Sequence, residues 1–235
     1  MTLSVVPIEG IGEIHPGDEL AVLIADAARV QGTPLQDADC LVVTQKIVSK
    51  AEDRLVRLDA DDLDARRALV ESESVRIVRR RGDLIISETR HGFVCANAGI
   101  DLSNVEHGWA ALLPVDSDRS AKHIRDAMRA REQLEVAIVI SDTFGRPWRR
   151  GLTDVAIGVS GIAAVVDLRD TTDALGRVLQ VTEVAVADEI ASAAELVMGK
   201  ATNVPVAIVR GFDPSWLREG SVRELIRPTD EDLFR

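Results

Sequence analysis

The run at 135–141, EVAIVIS, constrains the fold more than any other stretch. Its interior is unbroken alanine, valine and isoleucine, which is the composition of a buried strand rather than of a surface element. It gives way to Asp142-Thr143-Phe144-Gly145-Arg146-Pro147, which reads as an abrupt polar turn. Side chains at such a junction suit chemistry, because the strand fixes their position and the loop gives access. Residues 40–45 (CLVVTQ), 83–88 (DLIISE) and 204–209 (VPVAIV) read as further strands. Between them, apolar residues recur at helical spacing over 18–31, 62–80, 119–132 and 182–198. In the first of these helices Asp18 is placed to cap the opening turn, and in the second, arginines and acids share the exposed face. The class this predicts is α+β with a mixed sheet.

At 235 residues the chain can bury a substantial core, with no need of disulfides. Cys40 and Cys95 sit in apolar stretches with no CxxC partner, so both are expected as buried free thiols of a reducing compartment. No secretory leader or run of about 20 apolar residues is visible, which predicts a cytoplasmic protein with no membrane partner. A net charge of -11 argues against general binding of nucleic acid. Lysine occurs at only four positions, Lys46, Lys50, Lys122 and Lys200, and two of these fall in TQKIVSK.

Three constellations carry chemistry. The small-residue run HGFVCANAG leads to Asp101 and Asn104, hard oxygen groups suited to magnesium, phosphate or ribose. Asp142 and Thr143 offer a carboxylate and a hydroxyl to a divalent cation, while Arg146, Arg149 and Arg150 offer planar forks to an anion. Directly after the strand at 40–45, Lys46 and Lys50 share one face if the chain turns helical, and can meet a polyphosphate as point charges. There is no Walker-type phosphate loop, no zinc-binding histidine spacing and no GxSxG elbow.

Taken together, the segments VVTQKIVSK, ETRHGFVCANAGIDLSNV, LLPVDSDRSA, VISDTFGRPWRRGLTDVAIGVSG and TEVAVADEIASAAELVMGK resemble coenzyme F420-0:L-glutamate ligase, the CofE family, which includes the N-terminal ligase domain of actinobacterial FbiB. The likeness runs from residue 5 to about 212. It implies an α+β, mixed-sheet, CofE-like fold in an intertwined homodimer. The ligase domain would span 1–212, with a tail at 213–235 that packs on the domain or dimer through Trp216, Leu217 and Leu225. The implied reaction joins L-glutamate to the terminal carboxylate of coenzyme F420-0 through an acyl phosphate. GTP is the co-substrate, and the products are F420-1, a further F420-2, GDP and phosphate. The implied cofactors are magnesium or manganese at two sites, with potassium.

Matched position by position, Asp101 and Asp142 correspond to metal ligands and Thr143 to a ligand of a second metal. Ile11, Gly12, Glu13, Ile14, Gln45, Lys50 and Asn104 correspond to nucleotide contacts, and Met198, Gly199 and Lys200 lie where the family approaches nucleotide and metal. Lys200 departs from archaeal relatives, which commonly carry a carboxylate or an amide there. Phosphoryl transfer also needs cationic side chains for developing charge, a role open to Lys50 and to one of Arg146, Arg149 or Arg150, with Arg146 the first choice. Two alternatives stand beside this reading: a related nucleotide-dependent ligase with a different acid acceptor, and a non-catalytic nucleotide-binding scaffold, which would have no need of both aspartates.

Overall fold

A computed structural model describes residues 2–233. In chain order the elements are β1 (Ser4–Ile8), α1 (Leu20–Val30), β2 (Cys40–Thr44), α2 (Gln45–Ala51), β3 (Leu55–Arg57), α3 (Leu63–Ser72), β4 (Ser74–Arg81), β5 (Leu84–Thr89) and β6 (Val94–Ala96). They continue with β7 (Trp109–Ala111), α4 (Ser117–Glu132), β8 (Ala137–Arg146), β9 (Arg149–Ser160), β10 (Val166–Asp167), β11 (Glu183–Val184), α5 (Val186–Met198) and β12 (Val206–Arg210). The class is α+β, built on a mixed five-stranded sheet of order β1-β12-β2-β8-β9. Only β2 and β8 run parallel within it, with Cys40 opposite Ala137 and Thr44 opposite Ser141.

Both faces of this sheet are covered, which is why its central strands are apolar at every position rather than at alternate ones. Ile138 and Ile140 of β8 face α1 and α4, together with Leu41, Val43, Val206 and Ile208. The intervening Ala137 and Val139 face α5, with Val42, Ala207 and Val209. Small residues let the helices approach closely: a Cβ on Gly158 of β9 would lie 2.4 Å from the Ser117 carbonyl oxygen of α4.

The structure corrects four boundaries. The helix expected over 62–80 ends at Ser72, and the chain reverses into β4, antiparallel to β5. Charge on this strand is absorbed by cross-strand pairing, as where the Arg76 guanidinium meets Glu88 at 3.0 Å. The turn expected at 142–147 is mostly strand: β8 runs on to Arg146, and only Pro147 and Trp148 connect it to β9. The helix expected from 182 starts at Val186, because Glu183 and Val184 pair with β10. Asp18 accepts a hydrogen bond from the His15 amide instead of capping α1.

After β12 the chain makes three short 3-10 turns, the first at Pro214–Trp216. Trp216, Leu217 and Leu225 pack against the α5 side of the core, and the Trp216 carbonyl accepts from the Ala163 amide at 2.8 Å. The tail's last two residues lie outside the described part. Both cysteines are free and buried. No helix among the described residues is long and apolar enough to cross a membrane.

Candidate functional site

Past the carboxyl ends of the parallel pair β2 and β8 lies a cleft of about 990 Å³. Its lining is drawn from residues 11–14, from α2, from the loop at 96–104, from the β8–β9 hairpin and from the end of α5. Three of the chain's four lysines, Lys46, Lys50 and Lys200, reach it, and no arginine of the described residues does. Ile11, Gly12, Glu13, Ile14, Asp101, Asn104, Asp142, Thr143, Met198 and Gly199 all line it too. Lys46 and Lys50 share a face of α2, as helical spacing requires, and Lys50 pairs with Glu13.

Two expected site residues stand apart from the lining. Gln45 is buried behind it, its amide oxygen accepting from the Ser49 hydroxyl at 2.8 Å. Arg146 is exposed at the hairpin tip, donating to the Arg150 carbonyl at 2.9 Å. Because β8 continues as a strand past Asp142, it carries the three arginines away from the cleft. The basic side chains that line it among the described residues are lysines.

The loop wall is shaped by backbone. Asn97, Ala98 and Gly99 have φ values of 50°, 54° and 71°, three consecutive left-handed residues. A Cβ on Gly99 would lie 2.8 Å from the Leu113 side chain, so glycine is required there twice over. The smallness of this run therefore serves the turn and its packing, as well as leaving Ala96, Asn97 and Gly99 at the cleft surface. The turn delivers Asp101, whose carboxylate accepts from the Ser103 amide at 2.7 Å and meets the Lys46 ammonium at 2.8 Å. Burial pushes the pKa of Asp101 up, but the hydrogen bonds from Lys46 and Ser103 outweigh it and hold the group below its ordinary value.

The strand wall is shaped by side chains. Successive residues of β8 point to opposite faces. Thr143 donates from its hydroxyl to Asp154 at 2.6 Å, and Ser141, two residues back, donates to the other Asp154 oxygen at 3.1 Å. Asp142 points the other way. Its pKa is raised to about 7, chiefly by burial and further by the charges of Asp101 and Asp154, against the opposing Thr143 amide and Lys200. The Lys200 ammonium contacts Thr143, Asp154 at 3.0 Å and Glu195 at 3.2 Å. Burial and the Asp142 charge push the Cys95 thiol up to about 12, which rules it out as a nucleophile at neutral pH.

Asp154, only 3% exposed, is a charged residue of the cleft lining that sequence reasoning missed. The signal was available: it is the one charge in LTDVAIGVS, an otherwise apolar strand. Glu195 was missed as well, because on an amphipathic helix it reads as part of the solvated face.

The donor set fits a hard divalent cation. Carboxylates and a hydroxyl are available, and the raised pKa of Asp142 marks a place where positive charge is lacking. Among the described residues no three histidine, cysteine, aspartate or glutamate side chains close on one point, so phosphate oxygens would have to complete any shell.

The likeness of this chain to known proteins places it among enzymes, in the ligase class. The chain belongs to the F420-0:gamma-glutamyl ligase family, whose description matches residues 10–211. A coenzyme F420:L-glutamate ligase of Methanothermobacter thermautotrophicus is 45% identical, with the whole of both chains covered. Relatives of the same name from Methanopyrus kandleri and Methanocaldococcus jannaschii are 41% and 40% identical, covering 100% and 86% of this chain and 98% and 86% of their own.

Proposed function

We propose that this chain joins L-glutamate to the terminal carboxylate of coenzyme F420-0, with GTP as the phosphate donor. The observation that carries this reading is the gathering of Lys46, Lys50 and Lys200 with Asp101, Asp142 and Asp154 in one cleft of a protein whose net charge is -11. An acidic protein that draws its few lysines together beside carboxylates is built to hold a polyphosphate and its counter-ions.

A free carboxylate is a poor acyl donor, so it must first be phosphorylated. Its oxygen attacks the γ-phosphorus, the bond to the bridging oxygen breaks, and GDP leaves. The glutamate amine then attacks the acyl carbon, expels phosphate and gives up a proton as the amide forms. Lys46 and Lys50, held on one face of α2, meet the charge that develops on the transferring oxygens. Residues 11–14 and Asn104 form the rim that holds the nucleotide. Asp101 and Asp142 would hold magnesium or manganese, with Thr143 facing the neighbouring corner. Such an ion, when bound, neutralises phosphate charge and favours attack at phosphorus.

A homodimer belongs to the same reading. Leu152, Leu175 and Val181 stand 68%, 82% and 85% exposed, on the hairpin and the 168–182 segment, and a second copy would cover them. Light scattering on a sizing column should give twice the chain mass.

The decisive experiment is mass spectrometry after incubation with GTP, glutamate, magnesium and F420-0. One or two added glutamyl units are expected, since each addition carries the new carboxylate away from a fixed site. No mass change under saturating conditions would reject the reading, and a distribution centred on five or more units would reject the limit on length.

A further inference from the structure

Lys200 counts towards the cationic character of the cleft but is given no step in the transfer above, yet among the described residues it is the most heavily coordinated ammonium there. It touches the hydroxyl of Thr143 and one carboxylate oxygen each of Asp154 and Glu195. Asp154 is buried, and Lys200 is the one cationic side chain paired with it or with Glu195 among the described residues. A buried carboxylate without such a partner is costly, so this contact supplies the balance.

The backbone holds the lysine in place. Gly199 ends α5 with φ +61°, turning the chain back towards the sheet, and the Asn104 side-chain amide donates to the Lys200 carbonyl at 3.4 Å. Strand geometry separates this corner from its neighbour. Ser141 and Thr143 both turn to Asp154, while Asp142 between them points to the opposite face, towards the loop that carries Asp101. The cleft therefore has two cation-seeking corners. One, at Asp101 and Asp142, has a single ammonium in direct contact among the described residues, Lys46, which is committed to Asp101 and Ser103. In the other, the Lys200 ammonium lies against all three oxygen-bearing side chains. A divalent ion would have to displace it to reach the same oxygens.

We propose that the Lys200 ammonium is the built-in cation of the Thr143–Asp154–Glu195 corner, so that this chain takes up one divalent ion with its nucleotide, at Asp101 and Asp142, instead of two. The proposal rests on the nucleotide and metal reading given above.

The test is the manganese stoichiometry of the full chain with a non-hydrolysable GTP analogue at saturation, by equilibrium dialysis and electron paramagnetic resonance. Wild type should hold one Mn2+ per chain, with the spectrum of an isolated ion. Lys200→Gln removes the charge at a half-exposed position and should hold two, with the broadening of a spin-coupled pair. Lys200→Arg keeps the charge and should return to one. Thermal melts would establish that both variants are folded. Two ions in wild type, or one ion in folded Lys200→Gln, would overturn the proposal. No ion in any of the three proteins would instead overturn the metal reading beneath it.

Discussion

The two walls of the cleft reach similar chemistry by opposite means. On the loop wall, Asp101 sits on a backbone forced through three left-handed residues, and its charge is welcomed by Lys46 and the Ser103 amide. On the strand wall, Asp142 sits on extended β8 backbone, half-buried, beside other carboxylates and with no ammonium in contact with it among the described residues. The loop wall stores its cost in conformation, whereas the strand wall stores it in electrostatics. The ion proposed to bind between them would gain most from the second, where Asp142 has no ammonium in contact among the described residues.

The largest effect expected from breaking this comparison is on turnover. Asp142→Asn should lower the rate of glutamate incorporation by about 10²-fold or more while the protein stays folded, since it removes a cation ligand and not a core contact. A folded variant with wild-type rates would end the assignment.

The same substitution should stabilise the metal-free protein. With a folded pKa of about 7 against an ordinary 3.8, wild-type Asp142 binds its proton more tightly when folded. Wild-type stability therefore falls as pH rises from about 4 to about 7 and levels off above. At one pKa unit per about 1.4 kcal/mol, the variant should gain on the order of 2–4 kcal/mol at pH 8 and nothing near pH 4. Urea melts at both pH values decide this, and a gain independent of pH would contradict it.

On the loop wall, Gly99→Ala meets both a left-handed φ and the Leu113 side chain, and should cost about 1–3 kcal/mol in the same melts. The smallest effect belongs to Asp101→Asn. Its folded pKa is lowered, so the wild-type carboxylate contributes stability above its unfolded pKa and loses it as pH falls through the folded value. The variant should be less stable than wild type by about 1 kcal/mol at pH 7, the opposite sign to Asp142→Asn, with the gap closing towards pH 3.

The strands at 40–45, 135–141 and 204–209 were legible because a sheet covered on both faces leaves its central strands apolar throughout. The edge strand β1 was not, since Pro7 interrupts its pattern in a place only an edge strand tolerates. Nor were β3, β6 and β7, at three residues each, long enough to show a period. β4 was misread because its arginines, spaced along SVRIVRRR, continue the charged face of α3. Of the residues that line the cleft, Asp101, Asp142 and Thr143 could be singled out from residue type and from resemblance. That Arg146 lies outside the cleft lining was not legible, because the sequence does not mark where a strand keeps going, and β8 keeps going by pairing with β9 through two register shifts.

The order of the central sheet also bears on how the chain comes to be folded. β12 lies between β1 and β2, and among the described residues β1 pairs with no other strand. As the chain leaves the ribosome, β1 and β2 emerge early and must wait with open edges until residues 206–210 are made. Sheet closure thus depends on contacts nearly as distant in sequence as the chain allows, which slows folding and leaves apolar strand edges open to other chains in the interval. The open edges of β1 and β2 are the parts of the nascent chain most in need of shielding until the last strand slides into place between the first two.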